Sequence, residues 1–349
     1  MILAPTFLVD EDKCRTNIRD MAEKARRSGV IFRPHFKTHQ SQEIGSWFKE
    51  EGVDRITVSS LTMAKYFADD GWQDITVAFP ANFLEADLIN ELARTVTLNL
   101  IVVSTVTVKE LNDRIQNEIN IYVKIDIGYH RTGVAPDDVA GIDTILDEID
   151  KGPHTTFKGF LGHAGHSYGS FGKNEITNIH EVSTAVLVEK KQRYLSRYPD
   201  LLLSTGDTPT CSVIDDFSMV DEIRPGNFVF YDLMQNQIGS CSLDQITVAM
   251  ACPVVAIHKE REEIIIYGGG VHFSKDRLDT QKHGTIYGLA VENEGNGWGT
   301  PIDGVYLSKV SQEHGTIHAP ASYIDSISVG DIVKILPIHS CLTADLYSS

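Results

Sequence analysis

The sequence predicts an α/β fold: a (β/α)8 TIM-like barrel followed by a C-terminal β domain. Three observations predict it. Eight short apolar runs alternate with helix-like runs between residues 30 and 231, which is the rhythm of a βα-repeating barrel. Several of these runs, Ile56-Thr57-Val58 and Ile75-Thr76-Val77-Ala78 among them, are apolar on both faces, as parallel strands covered by helices are. After Asp232 the long helices stop, and strand-like runs follow one another across glycine-rich turns, the pattern of a β domain. An open doubly wound sheet is the alternative, but no GxGxxG follows the first strand.

In chain order, residues 6–10 read as a strand. A helix follows from about 11 to 28, with Ile18, Met21, Ala22 and Ala25 at helical spacing. The barrel strands fall at 30–33, 55–59, 74–79, 98–103, 119–126, 157–163, 201–204 and 228–231. Helices separate them at 42–51, 62–70, 84–94, 108–116, 137–150 and 175–198, with a short one near 211–217. Later strand-like runs lie at 246–257, 263–267, 285–291, 305–311 and 332–336. The strand near Phe7 precedes the barrel and has no partner there, so it is assigned to the β domain. The division is therefore 11–235 for the barrel, and 1–10 with 236–349 for the β domain.

Composition excludes several classes. The 349 residues are 42% hydrophobic, enough for a large core. A formal charge of −17 is the wrong sign for a protein that neutralises nucleic-acid phosphates. No polybasic patch suggests a membrane surface. The longest apolar stretch, 98–108, is broken by Asn99, Ser104, Thr105 and Thr107, so no membrane span is expected. The first residues lack a basic region and a long apolar run, so no secretion signal is expected either. Five cysteines, Cys14, Cys211, Cys241, Cys252 and Cys341, are scattered without a CxxC pair. That usage fits a reducing cytoplasm.

Chemistry concentrates where barrel strands end. Arg33-Pro34-His35-Phe36-Lys37-Thr38-His39 follows the first strand and leads to Ser41, a plausible helix cap. A lysine there, desolvated and crowded by cationic groups, has a lowered pKa and a free amine for Schiff-base chemistry. The competing reading makes Lys37 a solvated loop residue, with His35 and His39 capping backbone groups. Gly128 to Gly133 follows strand 5, and His163 to Tyr168 follows strand 6. Ser204 to Thr210 follows strand 7, and Arg224-Pro225-Gly226-Asn227 lies at strand 8. Loops after strands 7 and 8 commonly hold a phosphate in such barrels. Thr205-Gly206-Asp207-Thr208 suits that use. It also suits an ordinary turn capped by Asp207 or Thr208. Near the end, His339 and Cys341 alternate on an extended segment and point the same way. An imidazole and a thiolate suit Zn2+, and these two ligands plus one more leave open positions for water or a substrate hydroxyl. A buried structural cysteine beside an incidental histidine is the alternative.

These motifs together resemble the fold-type III pyridoxal-phosphate enzymes of the D-serine dehydratase and D-threonine aldolase family, within the wider alanine-racemase-like group. The resemblance runs from Pro5 to Cys341. It rests on Arg33 to His39, Asp126 to Gly133, Gly165 to Tyr168, Gly206 to Thr210, Arg224 to Asp232, and His339-Ser340-Cys341. It implies that Lys37 forms the Schiff base with pyridoxal 5'-phosphate (PLP) and that Tyr168 meets the pyridine nitrogen. It places Arg131 near the cofactor ring and His166 and Thr205 in the cofactor set. Gly206, Asp207, Thr208, Gly226 and Asn227 would cradle the phosphate, and His339 and Cys341 would hold zinc. A neutral tyrosine at the pyridine nitrogen does not force its protonation, so a metal polarising the β-hydroxyl gains importance. The sequence departs from the family pattern at Gln40 and Ile338, and in stopping soon after Cys341.

The resemblance implies dehydration of a D-β-hydroxy amino acid. Lys37 removes the α-proton, zinc assists loss of the β-oxygen, and D-serine yields pyruvate and ammonia. The HxC motif, in place of HxD, tilts the expectation away from the rival, retro-aldol cleavage of D-threonine-like substrates to glycine and an aldehyde. A racemase needs an acid–base residue opposite Lys37, and none stands out. A non-catalytic PLP carrier lacks a β domain, and a barrel metallohydrolase leaves the phosphate-like loops unexplained. A homodimer is implied by the resemblance alone.

Overall fold

The computed structural model of the chain describes residues 2–347. It divides into two compact units, one of Ile18–Gly226 and one of the residues up to Asn17 together with those from Asn227 onward.

The first unit is built on an eight-stranded, wholly parallel sheet. Counting from β1 (Thr6–Val9) in the other unit, its strands are β2 (Ile31–Phe32), β3 (Ile56–Val58), β4 (Asp74–Pro80) and β5 (Thr97–Val102), then β6 (Ile119–Lys124), β7 (Thr155–Leu161), β8 (Leu202–Thr205) and β9 (Glu222–Ile223). The order is β2-β9-β8-β7-β6-β5-β4-β3. A single parallel bridge, His35 to Thr57, joins the two ends. Pro34 has no N–H to give, yet its carbonyl accepts from Thr57 at 2.9 Å and Thr57 accepts from Phe36 at 2.8 Å. The sheet therefore curls into a barrel, and the doubly wound alternative fails on strand order.

Helices cover the sheet, and five of the βα turns end on a side-chain cap. Ser41, Ser60, Ser104, Asp138 and Asp207 each accept from the first turn of the helix that follows, satisfying an amide left orphaned there. The Glu11–Ser28 helix buries Ile18, Met21, Ala22 and Ala25, the face its spacing predicted.

One strand differs from expectation. The run 228–231 is strongly β-prone, but Asn227–Val229 forms a 3-10 turn and Tyr231 takes a positive φ of 49°. The eighth strand is Glu222–Ile223 instead. A wholly buried glutamate scores poorly as a buried strand residue. It is stable here because Arg33 and Ser204 satisfy both of its oxygens. The short helix also lies earlier than expected, at Thr208–Val213.

The second unit is an antiparallel sheet of β1, β10 (Val248–His258), β11 (Glu263–Tyr267), β14 (Gly288–Glu294), β15 (Gly297–Val310), β16 (His314–His318) and β17 (Ile332–Pro337). The order is β1-β10-β11-β16-β15-β14-β17, and β10 also pairs with β17, so the strands close on themselves. The run 285–291 splits at Tyr287. Its first part, β13 (Gly284–Ile286), pairs with β12 (Leu278–Thr280), and its second joins the main sheet. Met250, Cys252, Ile264, Ile266, Leu307, Ile317 and Ile335 form its core.

Candidate active site

The stretch after β2 alternates between three environments. Arg33 points into the barrel and is 2% exposed. Its guanidinium reaches Glu222 at 2.6 Å and Asp74 at 2.7 Å. Phe36 packs outward against Phe48, Phe67 and Trp72. Lys37, the next residue, stands exposed on the wall of a cavity of about 430 Å3 at the carboxyl ends of the strands.

That wall is cationic and free of carboxylates. Lys37, Lys124, Arg131 and Arg224 line it with two histidines, His35 and His163, and no aspartate or glutamate. Burial holds His163 down at about 3, and Arg224, Arg131 and Lys37 add to the effect. Its Nδ1 lies 3.1 Å from the carbonyl of Gly206. A carbonyl only accepts, so Nδ1 carries the proton and Nε2 presents a lone pair. His35 is likewise kept neutral, by burial and then by Lys37 and Arg224. Its Nδ1 accepts the backbone N–H of Lys37 at 3.4 Å. The desolvation expected of Lys37 falls instead on Lys124, a 5% exposed residue ending β6. Burial, Arg131 and Arg224 bring it down to about 8.

Arg131 is placed by the turn before it. The Asp126 carboxylate accepts from the backbone N–H groups of Gly128 and His130 and from the His130 ring, at 3.0–3.1 Å. Arg131 lies over the Tyr129 ring at 4.9 Å. His166 stacks on the other side of this cluster, 6.4 Å from Tyr129, and its buried Nδ1 has no hydrogen-bond partner among the described residues.

The loops after β8 and β9 are kept bare by two glycines. A side chain at Gly226 would sit 2.9 Å from the His35 carbonyl, and one at Gly206, with φ +140°, would collide with the Arg224 backbone. Thr205 accepts the Arg224 N–H at 2.9 Å. Asp207 is the cap of the Thr208–Val213 helix, and its oxygens are occupied by Ser167, by the Thr210 N–H and by the Thr210 hydroxyl. Tyr168 accepts the Thr208 N–H at 3.2 Å. Of the predicted set, Lys37 and Arg131 line the cavity. Gly206 and Gly226 reach its wall through His163 and His35. Thr205, Asp207, Thr208, Tyr168 and His166 build the loops alongside.

A wall amine without acids nearby, and loops after β8 and β9 kept bare by Gly206 and Gly226, fit PLP. Its aldehyde suits Lys37 and its phosphate suits the Gly206 and Gly226 loops.

Asn227, His339 and Cys341 belong to the second unit. The Asn227 amide nitrogen is spent on Asp232 (2.8 Å), Ser340 (2.9 Å) and Cys341 (3.3 Å). Its side chain therefore serves the His339–Cys341 motif. His339 donates from Nδ1 to Asp276 at 2.7 Å, leaving Nε2 as the ligating atom. A carboxylate behind a metal-binding histidine is a common orienting arrangement. Burial opposes charge on His339, but Cys341, Asp232 and Asp276 outweigh it and hold the ring at about 9, so a metal taking Nε2 would displace a proton there. No group of three or more His, Cys, Asp or Glu gathers as a metal site among the described residues. The imidazole and the thiol suit a divalent metal by donor type and are one short of the three protein ligands usual in a catalytic zinc site.

Sequence reasoning passed over Lys124 and Glu222 as site-building residues, and Asp276 as the partner of His339; Arg224 stood in a candidate loop without a role of its own. A lysine in the apolar run Ile121-Tyr122-Val123-Lys124-Ile125 was a usable signal. Nothing in the sequence links Asp276 to His339.

The buried histidines tie stability to pH. An unfolded histidine protonates near 6.5, whereas folded His39 and His163 do so only at about 3. Their contribution is complete above 6.5. It is lost as pH falls toward 3, at up to about 1.4 kcal/mol per pH unit each. Asp207, pushed up to about 6 by burial, opposes them between 6 and its ordinary 3.8. The urea midpoint is expected to fall from about pH 7 to about pH 5. An equal or higher midpoint at the lower pH would contradict this balance.

The lysine-bearing barrel and its bare loops are an arrangement seen in fold-type III PLP enzymes, and the chain belongs to that family. Residues 9–233 match the family described as "Alanine racemase, N-terminal domain", and residues 247–349 match "Putative serine dehydratase domain". Within it, the chain is a lyase of the D-amino acid dehydratase and aldolase type. It is 30% identical to a D-serine dehydratase of Dictyostelium discoideum, over 99% of this chain and 91% of that one. It is 28% identical to a D-threo-3-hydroxyaspartate dehydratase of a Delftia species, over 97% and 91%. The solved structure of that enzyme aligns with a TM-score of 0.91 at 26% identity, covering 99% of this chain and 93% of that one. A cysteine-to-alanine variant of the same enzyme, solved in a metal-free form, aligns at 0.92 and 26% identity, covering 99% and 93%. Among the described residues no helix is long and apolar enough to cross a membrane.

Proposed function

We propose that the chain is a PLP- and zinc-dependent D-serine dehydratase, converting D-serine to pyruvate and ammonia. The observation that carries the reading is the exposed Lys37 amine on a cationic, carboxylate-free cavity wall. PLP, when bound to Lys37, supplies an electron sink for the bonds at the α-carbon. A divalent metal on His339 Nε2 and Cys341 Sγ supplies a Lewis acid for a hydroxyl leaving group. The rest is done by the chain's own residues. Lys37 Nζ takes the α-proton. His35 and His163 stay neutral, so they neither compete for that proton nor add charge beside the amine. Arg131 and Arg224 keep the cavity positive for anionic reactants. Asp276 orients His339.

The reading also includes a cytoplasmic homodimer, with a cofactor domain of 11–235 and a β domain of 1–10 and 236–349. Five free cysteines support the reducing compartment. D-Serine is expected to yield pyruvate, and a chelator or His339→Ala is expected to lower the rate by at least about tenfold, as loss of a metal ligand does. Glycine and acetaldehyde from D-threonine, without pyruvate from D-serine, would replace this reading with the aldolase. Full activity and metal content in His339→Ala would remove the metal's role.

A further inference from the structure

We propose that Lys124 is a specificity residue of this site, whose ammonium receives a carboxylate of the substrate. The inference rests on the lyase reading above only in taking the cavity as the place where substrate binds.

A lysine that is 5% exposed normally has an acceptor, because a buried ammonium without one is costly. The Lys124 ammonium makes no hydrogen bond or ion pair among the described residues. The nearest carboxylate, Asp126, is spent on Gly128 and His130. The other charged groups facing Lys124 are cations: Arg131 and Arg224, with Asp126 the only opposing charge. Lys124 nevertheless lines the cavity beside Lys37. An unsatisfied cation, kept from solvent yet open to a reaction chamber, is a half-built anion site.

The cofactor phosphate is a poor candidate for the missing half. The bare loops follow β8 and β9, and in the sheet order β9-β8-β7-β6 the strand carrying Lys124 stands two places from β8. At about 4.8 Å per strand that is roughly 10 Å. A substrate carboxylate remains. It has two sources: the α-carboxylate common to all D-amino acids, or a second carboxylate on a D-3-hydroxyaspartate-type substrate. Both present the same chemistry to Lys124.

The test uses PLP-loaded enzyme and two amine-free probes that cannot displace Lys37, D-lactate with one carboxylate and D-malate with two. Dissociation constants are measured by calorimetry for wild type, Lys124→Met and Lys124→Arg. Lys124→Met is expected to weaken D-malate binding by at least about tenfold, the worth of one charged hydrogen bond. Lys124→Arg is expected to stay within about threefold of wild type by keeping the charge. An equal loss for D-lactate assigns the α-carboxylate, and a loss confined to D-malate assigns the second one. In turnover, KM should rise far more than kcat falls. Unchanged probe affinities in Lys124→Met, or a fall in kcat at constant KM, overturn the proposal. Should Lys124→Met not fold, Lys124→Gln is read the same way. Calorimetry needs no turnover. Wild type that binds the probes through Lys124 yet makes no pyruvate from D-serine would therefore sink the dehydratase reading alone.

Discussion

Lys37→Ala is expected to be colourless when purified with PLP present, and at least about 1000-fold slower than wild type on D-serine. General acid–base groups alone contribute about 100- to 10,000-fold, and Lys37 is asked to be the covalent anchor as well. Lys124 is the other lysine on the cavity wall. Lys124→Ala provides the contrast: it should stay yellow, because Lys124 is held back at the end of β6 while Lys37 is exposed. Absorbance of the borohydride-treated protein reads the two variants. A Lys37→Ala protein that keeps a borohydride-sensitive chromophore would move the anchor to Lys124 and end the present assignment.

Glu222→Ala is expected to cost about 3–5 kcal/mol, the penalty for removing one partner of a buried ion pair. Glu222 is wholly buried, and each of its oxygens has a partner at 2.6 Å, Arg33 Nε on one side and the Ser204 hydroxyl on the other. Ser204 in turn accepts from Arg224 Nε at 2.6 Å. The chain Arg33–Glu222–Ser204–Arg224 thus runs through the barrel to the cavity wall. Asp74 would still hold Arg33 at 2.7 Å, which places the loss toward the lower end of the range. Glu222→Gln keeps the shape and should lie between wild type and alanine. Urea denaturation is the measurement, with the midpoint moving at unchanged slope. A midpoint shift under about 1 kcal/mol for Glu222→Ala would mean that the network is structurally idle.

The same residue explains where sequence reading stopped short. Pattern rules look for apolar runs, and Phe228 to Tyr231 is a better run than Glu222-Ile223. Only the arrival of Arg33, just after β2, and Ser204 from β8, both distant in sequence, makes a buried glutamate affordable. The closure of the sheet was hidden for a related reason. It depends on one bridge between His35 and Thr57, across a proline that pattern rules treat as a strand end. Site residues divide in the same way. Lys37, Arg131, Gly206 and Gly226 carry local signatures: a lysine after a strand, a cation in a turn, glycines before and after polar residues. Lys124 and Asp276 carry none that names their partners.

The alternation of strand and helix, the caps, the loss of rhythm after Asp232 and the position of Lys37 were all written in local order. Each depends on residues close along the chain, whose spacing and propensity are visible one after another. Tertiary structure decided which strand completes the barrel, and which lysine is exposed and which is buried. It also decided that the Asn227 amide turns to Asp232, Ser340 and Cys341. Those outcomes depend on burial and on partners brought together from distant positions. A side chain's solvation and the satisfaction of its polar atoms belong to the folded neighbourhood, not to the order of the chain.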